Sequence, residues 1–171
     1  EDIPPKKESV VDMIRVATYI TQIPTALDMV KDAHDKGYET TLNLMAASTV
    51  PDRELDEGLE MLATSEAGAI YVVDSFGALY SEQVHFLVKK YLGYCKASGK
   101  EVGVHMHNNM QLAYANTIEG IIEGANFLDA TMAGLGRGAG NCPMELLLGF
   151  LHNPKYNLRP VLDCVQNHIE P

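Results

Sequence analysis

Two histidines, His105 and His107, lie one residue apart at the end of an apolar alternation, in the stretch EVGVHMHNN. If this stretch is a β-strand, side chains at positions i and i+2 point to the same side of the sheet, roughly 7 Å apart. Two imidazoles arranged in this way can bind one metal ion, although two ligands alone bind it weakly. The alternative is a pair of ordinary histidines near a strand end that hydrogen-bond to the backbone.

The surroundings of the pair favour a functional role, because the active sites of parallel α/β proteins lie at the carboxyl ends of the strands. The preceding strand pattern, AIYVVDS, ends in Asp74 and Ser75. The following one, NFLDATMAG, leads into the glycine-rich run GLGRGAGN, residues 134–141. Three consecutive strand patterns therefore carry polar or glycine-rich groups at the same end.

The glycine-rich run formally fits the dinucleotide fingerprint GxGxxG/A. However, it follows the last strand pattern of the chain, and no strand with an acidic residue comes about 20 residues later, as that fingerprint requires. We expect instead a loop that lets the backbone approach a small ligand and lets Asn141 turn inward. A tight turn that only joins a strand to a helix is the alternative.

The elements that position these residues follow a regular strand–helix alternation. Runs rich in β-branched residues begin near Asp12, Glu39, Ala69, Glu101 and Asn126, with helical patterns between them. Two further helical patterns follow the glycine-rich run. This spacing predicts βαβ units and a parallel sheet, and so an α/β fold.

Most of the strand patterns have one apolar face and one polar face. A sheet covered by helices on both sides should be apolar on both faces, so this pattern favours a barrel with helices outside and a polar interior. A (β/α)8 barrel needs eight units and typically about 250 residues. The chain has 171 residues and five strand patterns. From the residues alone, either part of a barrel is absent or the sheet is open.

Arg15 and Asp129 fall on the polar faces of the first and last strand patterns. A lone buried charge is costly, so each of these groups should have a partner. We predict that both project into the interior and are hydrogen-bonded there. The two groups are candidate partners for each other. The alternative places Arg15 at a strand start, with its guanidinium reaching solvent at the bottom of the sheet.

The composition restricts the class of partner. The net charge of −10 argues against nucleic acid, and no apolar run reaches the roughly 20 residues that span a bilayer. The three cysteines form no CxxC pair, which fits a reduced, cytoplasmic setting. The chain begins with Glu rather than Met, as a processed or cut chain would.

The long stretch from VGVHMHNN to NCPMELLL resembles the C-terminal half of the barrel of the DRE-TIM metallolyases. This superfamily includes 4-hydroxy-2-oxovalerate aldolase, HMG-CoA lyase, the isopropylmalate and homocitrate synthases and carboxyltransferase domains. The resemblance is strongest to the aldolase type and covers about residues 11–171. It implies a partial (β/α)8 TIM barrel with strands four to eight and their helices, so that residues 1–171 form the C-terminal part of a single catalytic domain.

Carried over residue by residue, the resemblance implies that His105 and His107 bind a divalent ion and that Asn141 completes the metal shell. Mixed imidazole and oxygen ligation suits Mn²⁺ or Mg²⁺ better than Zn²⁺. Ser75 matches a residue that contacts the keto-acid substrate. The family's aspartate ligand and its base belong to N-terminal strands, so no catalytic residue is assigned in this chain. Asn108 stands where the aldolase type usually has a third histidine, which leaves the exact substrate open.

The implied activity is that of a class II, metal-dependent aldolase, which cleaves a C–C bond in a 4-hydroxy-2-oxo acid to give pyruvate and an aldehyde. The alternatives are an acyl-CoA-dependent condensing enzyme of the same superfamily and a catalytically incomplete half-barrel fragment. A small 2-oxo acid is the expected substrate, and neither nucleic acid nor a membrane is an expected partner. The expected assembly is a homo-oligomer or a complex with a partner dehydrogenase.

Overall fold

The structure, a computed structural model, describes residues 3–169 and contains one five-stranded parallel sheet. The strands are β1 (Met13–Thr18), β2 (Glu39–Leu44), β3 (Ala69–Asp74), β4 (Glu101–Met106) and β5 (Phe127–Leu128). Their order across the sheet is the same as their order along the chain. The α/β fold with a parallel sheet, predicted from the strand–helix alternation, is therefore confirmed.

Helices follow each of the strands. The α-helices are α1 (Ile23–Asp35), α2 (Asp52–Ala63), α3 (Ser81–Cys95), α4 (Ala113–Glu123), α5 (Met144–Leu151) and α6 (Arg159–Cys164). The shorter segments are five 3₁₀ turns (Lys6–Glu8, Ile20–Gln22, Ala47–Thr49, Lys96–Ser98 and Met132–Gly134) and a π-helical turn (Val165–Ile169). Across residues 3–169, none of these helices is long and apolar enough to span a membrane.

The helices pack on one face of the sheet. The even-numbered strand positions on that face are buried in one core with the apolar stripes of α1 to α4; they are Val16, Leu42, Leu44, Ile70, Val72, Val102, Val104 and Met106. Side chains alternate along a strand, so the odd-numbered positions lie on the opposite face. That face carries a small apolar cluster around Tyr71 and the polar side chains of Arg15, Asn43 and His105. The predicted separation of an apolar and a polar face is confirmed.

The sheet is strongly curved around the polar face. Adjacent strands lie about 4.8 Å apart, so in a flat sheet β1 and β5 would be about 19 Å from each other. Arg15 on β1 and Asp129, the residue after β5, nevertheless form an ion pair in which Nη1 lies 2.5 Å from Oδ2. One arginine and one aspartate side chain are too short to span the flat distance. The two edges of the sheet have therefore curled toward each other, and we call the odd-numbered side the concave face.

The last strand is shorter than its sequence pattern predicts, because only Phe127 and Leu128 join the ladder with β4. The N–H of Asp129 still donates to the carbonyl of Val104 at 3.1 Å. The backbone then turns at Ala133, which has a φ of 52°. The apolar alternation thus continues past the point at which the chain leaves its neighbouring strand.

Candidate metal and substrate site

His105 and His107 occupy neighbouring positions of the concave face at the carboxyl end of β4. Their ring centroids are 4.9 Å apart and their planes meet at 83°. The Nδ1 of His107 lies 2.8 Å from the backbone carbonyl oxygen of Asp74. A carbonyl oxygen can only accept a hydrogen bond, so Nδ1 carries a proton, and Nε2 is the ring nitrogen left to bind an ion.

His105 is held by a carboxylate instead. Its Nδ1 lies 2.8 Å from Oδ2 of Asp129, the same oxygen that accepts a hydrogen bond from Arg15. Arg15 also donates from Nη2 to the hydroxyl of Tyr71 at 2.7 Å, and its guanidinium carbon lies 4.1 Å from the centre of the tyrosine ring. The predicted contact between Arg15 and Asp129 on the polar face is confirmed. We call Arg15, Tyr71, His105 and Asp129 the inner cluster.

The charges of the inner cluster are set by these contacts. Burial acts to raise the pKa of Asp129, but the hydrogen bonds from His105 and Arg15 outweigh it and hold the pKa below its ordinary value. Burial raises the pKa of Tyr71 to about 12, against the opposing charge of Arg15. At neutral pH the inner cluster therefore contains an ionised carboxylate, a guanidinium and a neutral phenol.

The position of Tyr71 depends on a glycine in the next strand. The ring is 1% exposed and packs edge-on against Phe127, with ring centroids 6.2 Å apart. A Cβ atom at position 103 would lie 2.5 Å from the ring carbons of Tyr71, so only glycine leaves room for the ring. Sequence reasoning missed Tyr71. The glycine inside the apolar run VGV is the signal that could have indicated such a close approach.

The glycine-rich loop, residues 134–141, folds back toward the end of β4. Asn141 forms an isolated antiparallel bridge with His107, which places the two residues side by side. The Asn141 Nδ2 donates to the carbonyl of Leu135 at 3.1 Å, whereas Oδ1 is buried and has no hydrogen-bond partner among the described residues. A Cβ atom at Gly136 would collide with this amide. The loop therefore turns Asn141 inward, as predicted.

These three residues offer donor atoms that fit a divalent ion. His105 and His107 each engage Nδ1 with an oxygen acceptor, which is the usual support for a metal-binding histidine because it leaves Nε2 available. A buried amide oxygen without a partner costs free energy, and a cation at that position would satisfy it. Imidazole nitrogen and amide oxygen together suit a borderline or hard divalent ion.

Ser75 follows β3 at the same end of the sheet. Its Oγ accepts a hydrogen bond from the backbone N–H of Ala46 at 2.8 Å, and its carbonyl accepts one from Arg137 at 3.2 Å. The neighbouring Asp74 is buried, and its carboxylate accepts two backbone N–H groups of the following turn, each at 3.1 Å. Asp74 thus has a structural role in this turn, and the contact of Ser75 with a substrate stays a prediction.

A second histidine–carboxylate group lies on the helices. The Nδ1 of His85, on α3, is 2.8 Å from a carboxylate oxygen of Glu123 and 3.2 Å from one of Glu119, both on α4. The three donor atoms lie within 4.8 Å of one another, close enough to share an ion. The side chain of His85 is half exposed. The carboxylate contacts were missed. We call these three residues the outer cluster.

Comparison with known proteins gives matches along most of the chain. A family model described as HMGL-like matches residues 14–167. The chain is 35% identical over 156 residues to 4-hydroxy-2-oxovalerate aldolase from Thermus thermophilus, covering 91% of this chain and 44% of the relative. It is 34% identical over 140 residues to oxaloacetate decarboxylase from Mycobacterium tuberculosis, covering 82% of this chain and 41% of the relative. The chain therefore spans less than half the length of both curated relatives.

A solved structure is similar in fold. The crystal structure of hydroxymethylglutaryl-CoA lyase from Pseudomonas aeruginosa matches 94% of this chain and 63% of its own length, with a TM-score of 0.77. The sequence identity of that match is 17%, so the likeness concerns the fold alone.

Proposed function

The chain belongs to the HMGL-like family, and from that premise we propose that it forms part of the active site of a divalent-metal-dependent lyase or aldolase. The resemblance to the DRE-TIM metallolyases drawn from the sequence is confirmed by the family match. The proposal rests above all on one observation. Two histidines with engaged Nδ1 atoms lie at the same strand end as a buried, unpaired amide oxygen, that of Asn141.

In this proposal His105, His107 and Asn141 hold Mn²⁺ or Mg²⁺, because mixed nitrogen and oxygen ligation suits octahedral ions. When bound, such an ion supplies Lewis acidity that stabilises negative charge on the carbonyl oxygen of a 2-oxo acid. The residues of the chain hold the imidazoles in one tautomer and orient the substrate. Ser75 accepts the N–H of Ala46 through its oxygen, so its hydroxyl proton stays available for a substrate oxygen.

The names of the two curated relatives support a 2-oxo acid as the substrate. Aldol cleavage of a 4-hydroxy-2-oxo acid releases pyruvate and an aldehyde, and decarboxylation of oxaloacetate releases pyruvate and CO₂. Both reactions break the C3–C4 bond of a 2-oxo acid, and the electron pair left on C3 is delocalised onto the C2 carbonyl oxygen as an enolate, which is then protonated to pyruvate. We propose aldol cleavage as the reaction, with oxaloacetate decarboxylation as the second candidate because of the 34% identity to the decarboxylase.

We further propose that the five strands are strands four to eight of a (β/α)8 barrel, with residues 1–171 as the C-terminal part of one catalytic domain. Three observations support this: the sequential strand order, the helices on one face, and the curvature that brings Arg15 to Asp129. A doubly wound sheet reverses its strand order and carries helices on both faces. Assembly as a homo-oligomer or with a partner dehydrogenase stays a prediction.

The test is an assay of the full-length protein after treatment with EDTA. Pyruvate release is followed with lactate dehydrogenase, using 4-hydroxy-2-oxovalerate or oxaloacetate as the substrate. We expect activity with the first substrate that Mn²⁺ or Mg²⁺ restores. Activity with oxaloacetate alone would favour the second candidate, and release of CoA from an acyl-CoA and a 2-oxo acid would favour a condensing enzyme. Absence of all three activities in protein supplied with metal would contradict the proposal and favour the half-barrel fragment.

A further inference from the structure

We propose that Asp129 is a positioning residue for the metal site: it accepts the Nδ1 proton of His105 and so keeps Nε2 of that ring free to bind the ion. Arg15 and Tyr71 hold the Asp129 carboxylate in place for this purpose. The inference rests on the proposed function, because it gives Asp129 a role toward a metal that His105 would bind.

Both histidines engage Nδ1 with an oxygen acceptor, but the two acceptors differ. His107 donates Nδ1–H to the backbone carbonyl of Asp74, whose position is fixed by the end of β3. His105 donates to a side chain located after β5, a strand of only two residues. A carboxylate on such a segment can rotate about its side-chain bonds, so it needs a further contact to stay aligned with the imidazole.

Arg15 supplies that contact. Its Nη1 donates to the same Oδ2 atom of Asp129 that accepts from His105, and its Nη2 donates to the hydroxyl of Tyr71. Tyr71 is itself buried, and Gly103 leaves the space for its ring. The chain of contacts thus runs from a rigid aromatic ring in the middle of the sheet, through the guanidinium, to the carboxylate. It connects β1 with the end of β5, so the orientation of His105 depends on the curvature of the sheet.

The state of the imidazole gives a direct test that needs no bound metal. In full-length protein with ¹⁵N-labelled histidine, long-range ¹H–¹⁵N spectra distinguish a proton on Nδ1 from one on Nε2. In the wild type we expect His105 and His107 to carry the proton on Nδ1. In Asp129→Ala we expect the His105 proton to move to Nε2, while His107 stays unchanged as an internal reference. Asp129→Asn keeps an acceptor oxygen and should retain the wild-type tautomer.

Metal affinity is the second readout, measured as the Kd for Mn²⁺ by titration calorimetry. Asp129→Ala should weaken binding by about 10- to 100-fold, the usual effect of removing a group that supports a metal ligand. Asp129→Asn should weaken Mn²⁺ binding less than Asp129→Ala. The matched control is Glu57→Gln, which removes a carboxylate from an exposed ion pair with Arg53 on α2 and should leave the Kd unchanged.

The outcomes separate the two proposals. If Mn²⁺ broadens the signals of both histidines, but Asp129→Ala keeps the wild-type tautomer and Kd, the positioning role is overturned and the proposed function stands. If Mn²⁺ leaves both signals unaffected in the wild type, both proposals fail. If Asp129→Ala does not fold, the wild-type spectrum still decides, because a His105 proton on Nε2 contradicts the positioning role.

Discussion

The inner and outer clusters contain the same contact, a histidine Nδ1 that lies 2.8 Å from a carboxylate oxygen. At the inner cluster the imidazole and the carboxylate are 23% and 20% exposed, and Arg15 balances the charge of Asp129. At the outer cluster the imidazole of His85 is 46% exposed, while the carboxylates of Glu119 and Glu123 are 25% and 18% exposed. The described ion pairs of those glutamates are with His85, so their two negative charges share one imidazole.

The difference shows that a short distance does not by itself define a functional site. Water and salt screen the contacts of the half-exposed His85 imidazole, whereas the more buried contact of His105 loses more when a partner is removed. The inner carboxylate is also oriented by a third group, so it can impose a tautomer on its histidine. The outer cluster links α3 to α4.

Removal of a histidine should separate the two regions most clearly. His107→Ala should lower kcat/KM for pyruvate release on the order of 100-fold or more, equivalent to about 2.7 kcal/mol, because a proposed metal ligand is lost. His85→Ala should change it by less than about 2-fold, since His85 lies on α3, on the side of the sheet covered by helices and opposite the inner cluster. The measurement is the coupled assay in saturating Mn²⁺. Equal losses in the two variants would mean that the inner site is not the active one.

Removal of an arginine should destabilise the protein more at the inner cluster than at an exposed ion pair. Arg15→Met should lower the free energy of unfolding by about 2 kcal/mol, less than the roughly 3–5 kcal/mol of a fully buried pair because a third of the Arg15 side chain is exposed. Arg53→Met, which breaks an exposed pair with Glu57, should cost about 0.5 kcal/mol or less. Urea unfolding of both variants is the measurement. A cost for Arg15→Met as small as that for Arg53→Met would show that the inner contacts are no stronger than surface contacts.

A substitution of Ser75 tests whether a residue other than the two histidines acts on the substrate at the carboxyl end of the sheet. Ser75→Ala should reduce turnover of a pyruvate-yielding substrate on the order of 10-fold, equivalent to about 1.4 kcal/mol. Ser98→Ala is the matched control, because Ser98 lies in the 3₁₀ turn before β4, at the opposite end of the sheet. Unchanged kinetics in Ser75→Ala would refute a role in substrate binding.

The smallest effect concerns pH. The pKa of Asp129 is lower in the folded protein, so its ionised form adds stability above the unfolded value of about 3.9. This contribution is lost as the pH falls through the folded-state pKa. The difference in unfolding free energy between the wild type and Asp129→Asn should therefore shrink as the pH is lowered from about 5 toward 3. A difference that is constant over this range would show that the ionised carboxylate makes no specific contribution.

Much of the architecture could be predicted from the sequence, because it depends on local periodicity. Alternation of apolar and polar residues along each strand determines which side chains share a face, so the sequence placed Arg15 and His105 on the same polar side. The helical stripes between the strands predicted the α/β class and the parallel sheet. The HxH and GAGN motifs predicted the family and the inward turn of Asn141.

The tertiary structure fixed which partner holds each side chain, although the sequence had offered Arg15 and Asp129 as one candidate pair. Arg15 and Asp129 are 114 residues apart, and their contact depends on the curvature accumulated over five strands, which no local pattern encodes. The same holds for Tyr71 above Gly103, for the acceptors of the two imidazoles, and for the outer cluster between α3 and α4. Local alternation assigns each side chain to a face. Its partner on that face is set by how all the strands and helices pack together.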